Sequence, residues 1–351
     1  MTTTIYIGNN WNLVDDPSNA VMVKVIDDDG RVRFGVRPGL TQNSFPGHEG
    51  RPGQVGGSRP RDASAPDSLS HTGHNAPGLQ KYNLKDEDYE AYQRVMKMES
   101  PEAQDALKRA GVTRDQAVKM VDDAREKAAS IPQTRDLHMK DGVYSPERKK
   151  VHDEIRDKYL SRGKINEDGK PELFLTGGLP GAGKSSILKK EMYDGYKDKF
   201  VIIDSDAIKE QLAAIDGLEN LGIHAASYHA EADDIISDIF GTAIEKRMNI
   251  GLDGTMKNQK KMLDVVSDFK GLGYKVEVAF VDLPPEKAMT RGLERYFRGG
   301  RFVDPIYIAS NDHKNPATAK ALKDHVDVYR FWDNDVPFGS SPILVDEKVM
   351  Q

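Results

Sequence analysis

The spacing of apolar positions changes along the chain and divides it into four zones. Val21, Val23 and Val25 recur at every second position, the spacing that puts side chains on one face of a strand. Val32-Arg33-Phe34 is a second short stretch, and Asp27-Asp28-Asp29-Gly30 between the two predicts a β-hairpin. A lone hairpin is marginal, so residues 1–36 are expected to pack on something else. Residues 37–79 lose all periodicity and fill with Gly, Pro, Ser and Arg, which predicts a disordered linker. Residues 80–140 turn helical. Ser100-Pro101-Glu102 reads as a capping serine with proline at the first helical position, and Thr113-Arg114-Asp115-Gln116 as a capping box. These helices carry many charges and few large apolar residues, and suggest a small helical region without chemistry of its own.

From Ser145 the pattern becomes α/β. A helix capped at Ser145-Pro146 is expected through His152 and Ile155 to Tyr159. Short apolar strands follow at 172–176, 200–203, 250–252 and 275–281. Helices are expected after the first of these, near 227–247, and over 285–297. Apolar strands alternating with helices mean a parallel sheet covered on both faces, over residues 145–345. No internal repeat is present.

Composition narrows the function without naming it. The chain has 351 residues, a net charge of −6 and a pI near 5.9, which argue against broad nucleic-acid binding. No apolar run approaches a membrane span, and Met1-Thr2-Thr3-Thr4-Ile5-Tyr6 shows no basic region followed by an apolar run. The absence of cysteine excludes disulfides and thiol chemistry and fits a cytoplasmic location.

The candidate chemistry begins at Gly178-Leu179-Pro180-Gly181-Ala182-Gly183-Lys184-Ser185, which satisfies the phosphate-binding pattern G-x-x-x-x-G-K-[ST] at every fixed position. It lies between an apolar strand and a helical pattern, the context such a loop needs. Its backbone N–H groups can close around a polyphosphate, Lys184 can reach the terminal phosphates, and the Ser185 hydroxyl can hold Mg²⁺. Val201-Ile202-Ile203-Asp204-Ser205-Asp206 places two carboxylates at the end of the next strand, where open α/β sheets bind ligands. One suits Mg²⁺ or its waters and the other a proton-accepting role. A helix cap is the plainer reading, and both can hold. Asp253-Gly254-Thr255-Met256-Lys257 ends the third strand with an acid, a hydroxyl and an amine. Arg291, Arg295 and Arg298 share a helical face, and Gly299-Gly300 reads as a flexible joint before Arg301. Phosphoryl transfer needs such cations, although a solvated face with Glu294 pairing to Arg291 or Arg298 explains them equally. His224, His229, Glu231, Asp233 and Asp234 cluster, but without metal-ligand spacing they read as a polar helix end, with His229 or Glu231 left able to touch substrate.

The loop, Asp204-Ser205-Asp206, Asp253-Gly254-Thr255 and Arg295…Gly299-Gly300-Arg301 together resemble the zeta toxin family of phosphotransferases over about residues 145–335. The resemblance implies a P-loop kinase-like fold and transfer of the γ-phosphate of ATP to a hydroxyl of a small molecule, a UDP-linked amino sugar in the best-known case. It implies that Lys184 binds phosphate, that Asp206 is the general base, that Arg295 and Arg301 stabilise the moving phosphoryl group, and that Asp253 and Thr255 contact substrate. Lys257 is assigned to the substrate as well. Gly178, Gly181, Ala182, Gly183, Lys184, Ser185 and Ser186 are assigned to ATP, and Ser185 and Asp204 to Mg²⁺. Better-known members carry Glu where this chain has Asp253, which puts the sugar-nucleotide acceptor in doubt. The Gly-rich segment at 47–58 resembles segments of phage-encoded head-module proteins. That resemblance implies a phage or mobile-element origin, and an antitoxin or virion partner acting through the N-terminal region. Two other readings stay open: a polynucleotide 5′-hydroxyl kinase, and a phage structural or interaction protein whose nucleotide site is not catalytic.

Overall fold

The computed structural model describes residues 4–7, 22–26, 32–36, 85–164, 170–185, 199–337 and 340–350. The expected linker, the Asp-Gly turn, Ser186 and the helix expected after it lie outside these residues. At the N-terminus, β2 (Met22–Ile26) pairs antiparallel with β3 (Val32–Val36), as the alternation indicates. A strand not expected, β1 (Thr4–Ile7), joins β2 in parallel.

Three helices follow: α1 (Asp86–Lys97), α2 (Pro101–Ala110) and α3 (Arg114–Ser130). Their ends are set by local chemistry. Ser100 Oγ accepts from Ala103 N at 3.1 Å ahead of Pro101, and Thr113 and Gln116 exchange backbone and side-chain bonds in a capping box. After α4 (Thr134–His138) and the small ribbon β4 (Met139–Lys140) and β5 (Val143–Tyr144), Ser145 caps α5 (Pro146–Leu160).

The α/β unit is built on a six-stranded sheet. In chain order it comprises β6 (Glu172–Gly177), β7 (Phe200–Asp204), α6 (Ser205–Ile215), α7 (His229–Glu245), β8 (Asn249–Asp253), α8 (Gln259–Gly271), β9 (Lys275–Asp282), α9 (Pro285–Phe297), α10 (Pro305–Ala309), α11 (Lys314–Leu322), β10 (Val328–Asp333) and β11 (Ile343–Val349). The strand order is β7-β8-β6-β9-β10-β11, parallel throughout except for β11 at the edge. β6 is therefore central, and the chain leaves it toward β7 on one side and later returns to β9 on the other. That reversal opens a crevice at the carboxyl ends of the strands, the place such sheets bind ligands. Neither β10 nor β11 is expected from the apolar pattern. Arg330 interrupts the apolar run of β10, and its charge is met across the sheet by Glu277 on β9 and Glu347 on β11.

Among the described residues three buried clusters line the sheet, the smallest being Phe174, Phe200 and Ala279; the two larger ones position the site. One gathers Leu173, Leu175, Val201, Ile203, Ile250, Val276 and Val278 from the strands against Ile155, Tyr159, Ile235 and Ile239. The other contains Leu179 and Ala182 of the phosphate-binding loop and Ala288, Met289 and Leu293 of α9. It also contains Ala91, Val95, Leu107, Ala117 and Val121 of α1–α3. This cluster joins the helices before residue 145 to α9. The few apolar residues of α1–α3 are mostly small, which is why the helices read as exposed. Small side chains let them approach α9 closely.

Candidate active site

Lys184, Asp204, Asp206, Asp253, Arg295 and Arg301 gather about the carboxyl ends of the parallel strands, each within the field of others of the group. The loop after β6 bends through Gly181 and Gly183, both at φ 92°, in the left-handed region. A Cβ at Gly181 would collide with the Ala288 carbonyl, and one at Gly183 with the Asn334 amide. Asn334, just past β10, donates from Nδ2 to the Ala182 carbonyl at 2.6 Å, and its own N–H donates to the Asp282 carbonyl. The loop is thus held from α9 and β10 as well as by its own sequence. Nothing local marks Asn334. Only its proximity across 152 positions of chain reveals it.

Lys184 folds over this loop and donates to the Gly178 and Leu179 carbonyls at 3.0 and 3.3 Å. Burial pushes its pKa down, while the charges of Asp253, Asp206 and Asp204 oppose that shift and Arg301 adds to it. The ammonium therefore lies within the field of three carboxylates. Ser185 is exposed beside it, and Ser186 lies outside the described residues.

The two acids where β7 passes into α6 make different contacts. β7 ends at Asp204, which is the N-cap of α6. Its Oδ1 accepts from Asp206 N at 2.9 Å and Ala207 N at 3.4 Å. Burial pushes Asp204 up, and the nearby Asp253 and Asp206 charges push it further. A carboxylate strained in this way is relieved by a cation. Among the described residues no group of three or more acids and histidines is arranged to hold a metal ion. Asp206 stands in the first turn of α6, free of the capping role. It pairs with Arg301 and lies 3.4 Å from Lys209 Nζ. Burial alone would raise it, but these two cations outweigh burial and hold its carboxyl below the ordinary range. Lys209 did not stand out in the sequence, where an i, i+3 acid–base pair looks like any helix surface.

On the neighbouring strand, Thr176 Oγ1 donates to Asp253 Oδ1 at 2.7 Å, which fixes that acid at the rim. Thr255 is half-buried next to Met256, a buried side chain at φ 57° that packs under Gly177. A non-glycine residue held in that region marks a turn dictated by its surroundings. Lys257 is exposed and leans over Tyr307, with Nζ 5.2 Å from the ring centroid and 3.4 Å from Oη.

The arginine face expected on α9 does not act as one surface. Arg291 approaches Gly183 of the loop. Arg298 is exposed, 3.8 Å from Glu294, as the solvated-face reading holds. Arg295 is turned inward, and its Nε and Nη2, together with Nε of Arg301, are buried with no partner among the described residues. Burial and the Arg301 charge both lower the Arg295 pKa. Two guanidinium groups near Asp206 thus keep buried N–H donors without a partner among the described residues, and an anion is what such donors lack. The joint before Arg301 is also tied rather than loose. Gly300 N donates to the Arg295 carbonyl at 2.9 Å, Phe302 N donates to the Gly222 carbonyl at 2.8 Å, and the Phe302 ring meets Tyr296 edge-on at 5.0 Å.

The acid–histidine cluster divides: His229 lies within the field of Lys209, Lys257 and Asp206, whereas Glu231 is buried away from them. Glu231 is fully buried and held by Arg148 and by His152 Nε2 at 2.7 Å, so it does not touch substrate. Arg148 also binds Asp216 at the far end of α6. His229 is mostly exposed, 3.7 Å from Asp233. Burial would raise the pKa of Glu231, but the hydrogen bonds from His152 and Arg148 hold it at about 2, against 4.5 ordinarily. A depressed pKa contributes stability that is present above the ordinary value and lost as pH falls toward the folded one. This carboxylate is therefore expected to account for ~3 kcal/mol that disappears between pH 4.5 and 2. Urea unfolding from pH 6 to 2 should be shallower in its pH dependence for Glu231→Gln. An unchanged slope would exclude the assignment.

The sequence model of the zeta toxin family matches residues 156–335, just over half of the chain. The chain belongs to the zeta toxin family. Among curated proteins it is 27% identical over 179 residues to toxin PezT of Streptococcus pneumoniae, covering 48% of this chain and 62% of PezT. To toxin zeta of Enterococcus hirae it is 24% identical over 128 residues, 36% of this chain and 44% of the toxin. The chain spans about half the length of the curated relatives it matches. A solved structure of AvrRxo1-ORF1:-ORF2 with ATP is similar at a TM-score of 0.48 and 16% identity, covering 63% of this chain and 77% of that one. The family match begins inside α5 and ends just after Asn334, so α1–α3 lie outside it.

Proposed function

We propose that this zeta toxin family member is an ATP-dependent phosphotransferase that moves the γ-phosphoryl group onto a hydroxyl of a small molecule. The observation that carries the proposal is the convergence of Lys184 of the glycine loop with Asp206 and Arg301, beside the unpartnered N–H donors of Arg295 and Arg301. The loop amides and Lys184 would bind the β- and γ-phosphates. The acceptor hydroxyl would lie against Asp206, an ionised carboxylate able to take its proton. The acceptor oxygen–phosphorus bond forms as the bond from the γ-phosphorus to the β,γ-bridging oxygen breaks, the proton passes to Asp206, and ADP leaves. Arg295 and Arg301 offer their free N–H groups to the charge on the moving phosphoryl oxygens. Arg301, paired with Asp206 in the free protein, would exchange that carboxylate for phosphate, which frees the base when substrate is present. Ser185 and Asp204 are the residues we assign to Mg²⁺, which when bound would neutralise charge shared between the phosphates.

Asp253, fixed by Thr176, and Thr255 are the groups we assign to the acceptor. Lys257 joins them only by leaving Tyr307. The acceptor we would test first is a UDP-linked amino sugar. We also infer that an antitoxin-type partner is to be sought for this chain. A polynucleotide acceptor is less well supported, because the arginine face that would seat a nucleic-acid backbone is divided between a buried site and a solvated end. The decisive experiment incubates the protein with γ-labelled ATP and a bacterial metabolite extract, and with UDP-N-acetylglucosamine alone. Label on a small molecule supports the reading, and its identity names the acceptor. Label on nucleic acid only, or ATP binding without any transfer, would overturn it.

A further inference from the structure

Helices α1–α3 lie outside the family match, yet they reach the arginine segment. Arg125 on α3 donates from Nε to Asp304 Oδ2 and from Nη2 to Asp304 Oδ1, both at 3.0 Å, and Nη2 also donates to Tyr92 Oη on α1 at 3.0 Å. The two charged side chains are 14% and 9% exposed, so the pair is largely shielded from solvent. Asp304 follows Arg301 by three residues and caps α10, its Oδ1 accepting from Ile306 N at 3.2 Å. Between them Phe302 is buried and hydrogen-bonded to Gly222. Upstream, Gly299 at φ 87° turns the chain out of α9, and Gly300 is tied back to Arg295. Arg301 thus sits in a short span fastened at both ends, and part of the downstream fastening, at Asp304, is made by a residue of the N-terminal helices. Arg109 on α2 holds Glu294 at 2.7 and 2.8 Å, beside Arg295, but that arginine is 42% exposed and the pair is correspondingly screened. A forked guanidinium on both oxygens of a carboxylate fixes direction as well as distance, which a lysine does not.

We propose that Arg125 is a positioning residue: through its two-point grip on Asp304 it holds residues 299–304 so that Arg301 faces Asp206. On this view α1–α3 are a brace for the phosphoryl-binding arginine. The inference rests on the phosphotransferase reading for its kinetic consequence, but not for its structural one.

The test uses the full-length chain with Arg125→Ala, Arg125→Lys, Arg301→Ala and the double variant Arg125→Ala/Arg301→Ala. Arg125→Ala should lower kcat about 10- to 10²-fold, the scale of a small misplacement of a catalytic group, with KM for ATP nearly unchanged. Arg125→Lys, which keeps the charge and stem but not the fork, should recover only part of the loss. In the Arg301→Ala background Arg125→Ala should cost almost nothing more, because its effect passes through Arg301. Independent losses that multiply in the double variant would overturn the proposal. So would a wild-type kcat in Arg125→Ala. Hydrogen exchange without nucleotide supplies a readout that needs no activity. Amides 299–304 should exchange faster in Arg125→Ala, or in Arg125→Lys if the alanine variant does not fold, while amides of β6 and β8 keep their protection. Unchanged exchange at 299–304, or faster exchange throughout, would show that Arg125 is not a local brace. If the wild-type chain transfers no phosphate, the proposed activity fails while exchange still decides the brace.

Discussion

Asp206→Asn is expected to lower turnover by ~10² or more while leaving ATP affinity nearly intact, the scale of a lost general base. The substitution is close to isosteric and leaves the cap of α6 untouched, because Asp204 makes the capping bonds. What it removes is the negative charge that Arg301 and Lys209 hold ionised, and with it the proton acceptor. Steady-state kinetics together with ATP binding by calorimetry separate the outcomes. A fall in ATP–Mg²⁺ affinity equal to the fall in turnover would make Asp206 a metal ligand. Full activity would leave it only an ion-pair partner of Arg301. Helix content and thermal midpoint should stay near wild type. The Asp206 side chain is 35% exposed and the Asn amide oxygen can still accept from Arg301, which is 17% exposed, so the loss in the folded state is expected to be small beside the loss in turnover.

Lys184→Ala should have the larger effect on turnover, ~10³ or more, with the fold preserved. In the free protein its ammonium binds two carbonyls of its own loop and lies amid three carboxylates. Removing it deletes the one cation the loop itself supplies to the terminal phosphates. The loop keeps its shape because the Asn334 amide on Ala182 and the close fit of Gly181 to Ala288 do not involve Lys184. The measurements are transfer of labelled phosphate and circular dichroism with thermal unfolding on the same sample. Wild-type transfer would remove Lys184 from the chemistry. A lost fold would mean that the two Lys184 hydrogen bonds, and not the Asn334 amide, hold the loop in shape.

Much of this site is legible in the sequence because its parts obey short-range rules. Eight consecutive residues specify the phosphate-binding loop, since the backbone geometry it needs excludes side chains at fixed positions. The central parallel strands announce themselves as apolar runs because both faces of the sheet are buried. The helix starts at Ser100, Thr113 and Ser145 follow from side chains bonding to amides three positions away. Asp204 and Asp206 were legible as a pair, but not their division. Only the change from β7 to α6 between them makes one acid a cap and leaves the other free.

The tertiary structure decided everything that depends on charge meeting charge across long stretches of chain. β10 could not be read, because Arg330 breaks its pattern and its compensating acids lie on other strands. The three arginines of α9 and its end look equivalent by spacing. Packing buries Arg295, exposes Arg298 and turns Arg291 to the loop, because the helix presents a different environment at each turn. Asn334 and Arg125 carry no motif at all, and they matter through the Ala182 carbonyl and Asp304, 152 and 179 positions away. The sequence by itself determined the phosphate-loop pattern and the strand ends at which the candidate groups gather. Which side chains are free to act there, and which hold them in place, followed only when long-range packing removed some groups from water and left others without partners.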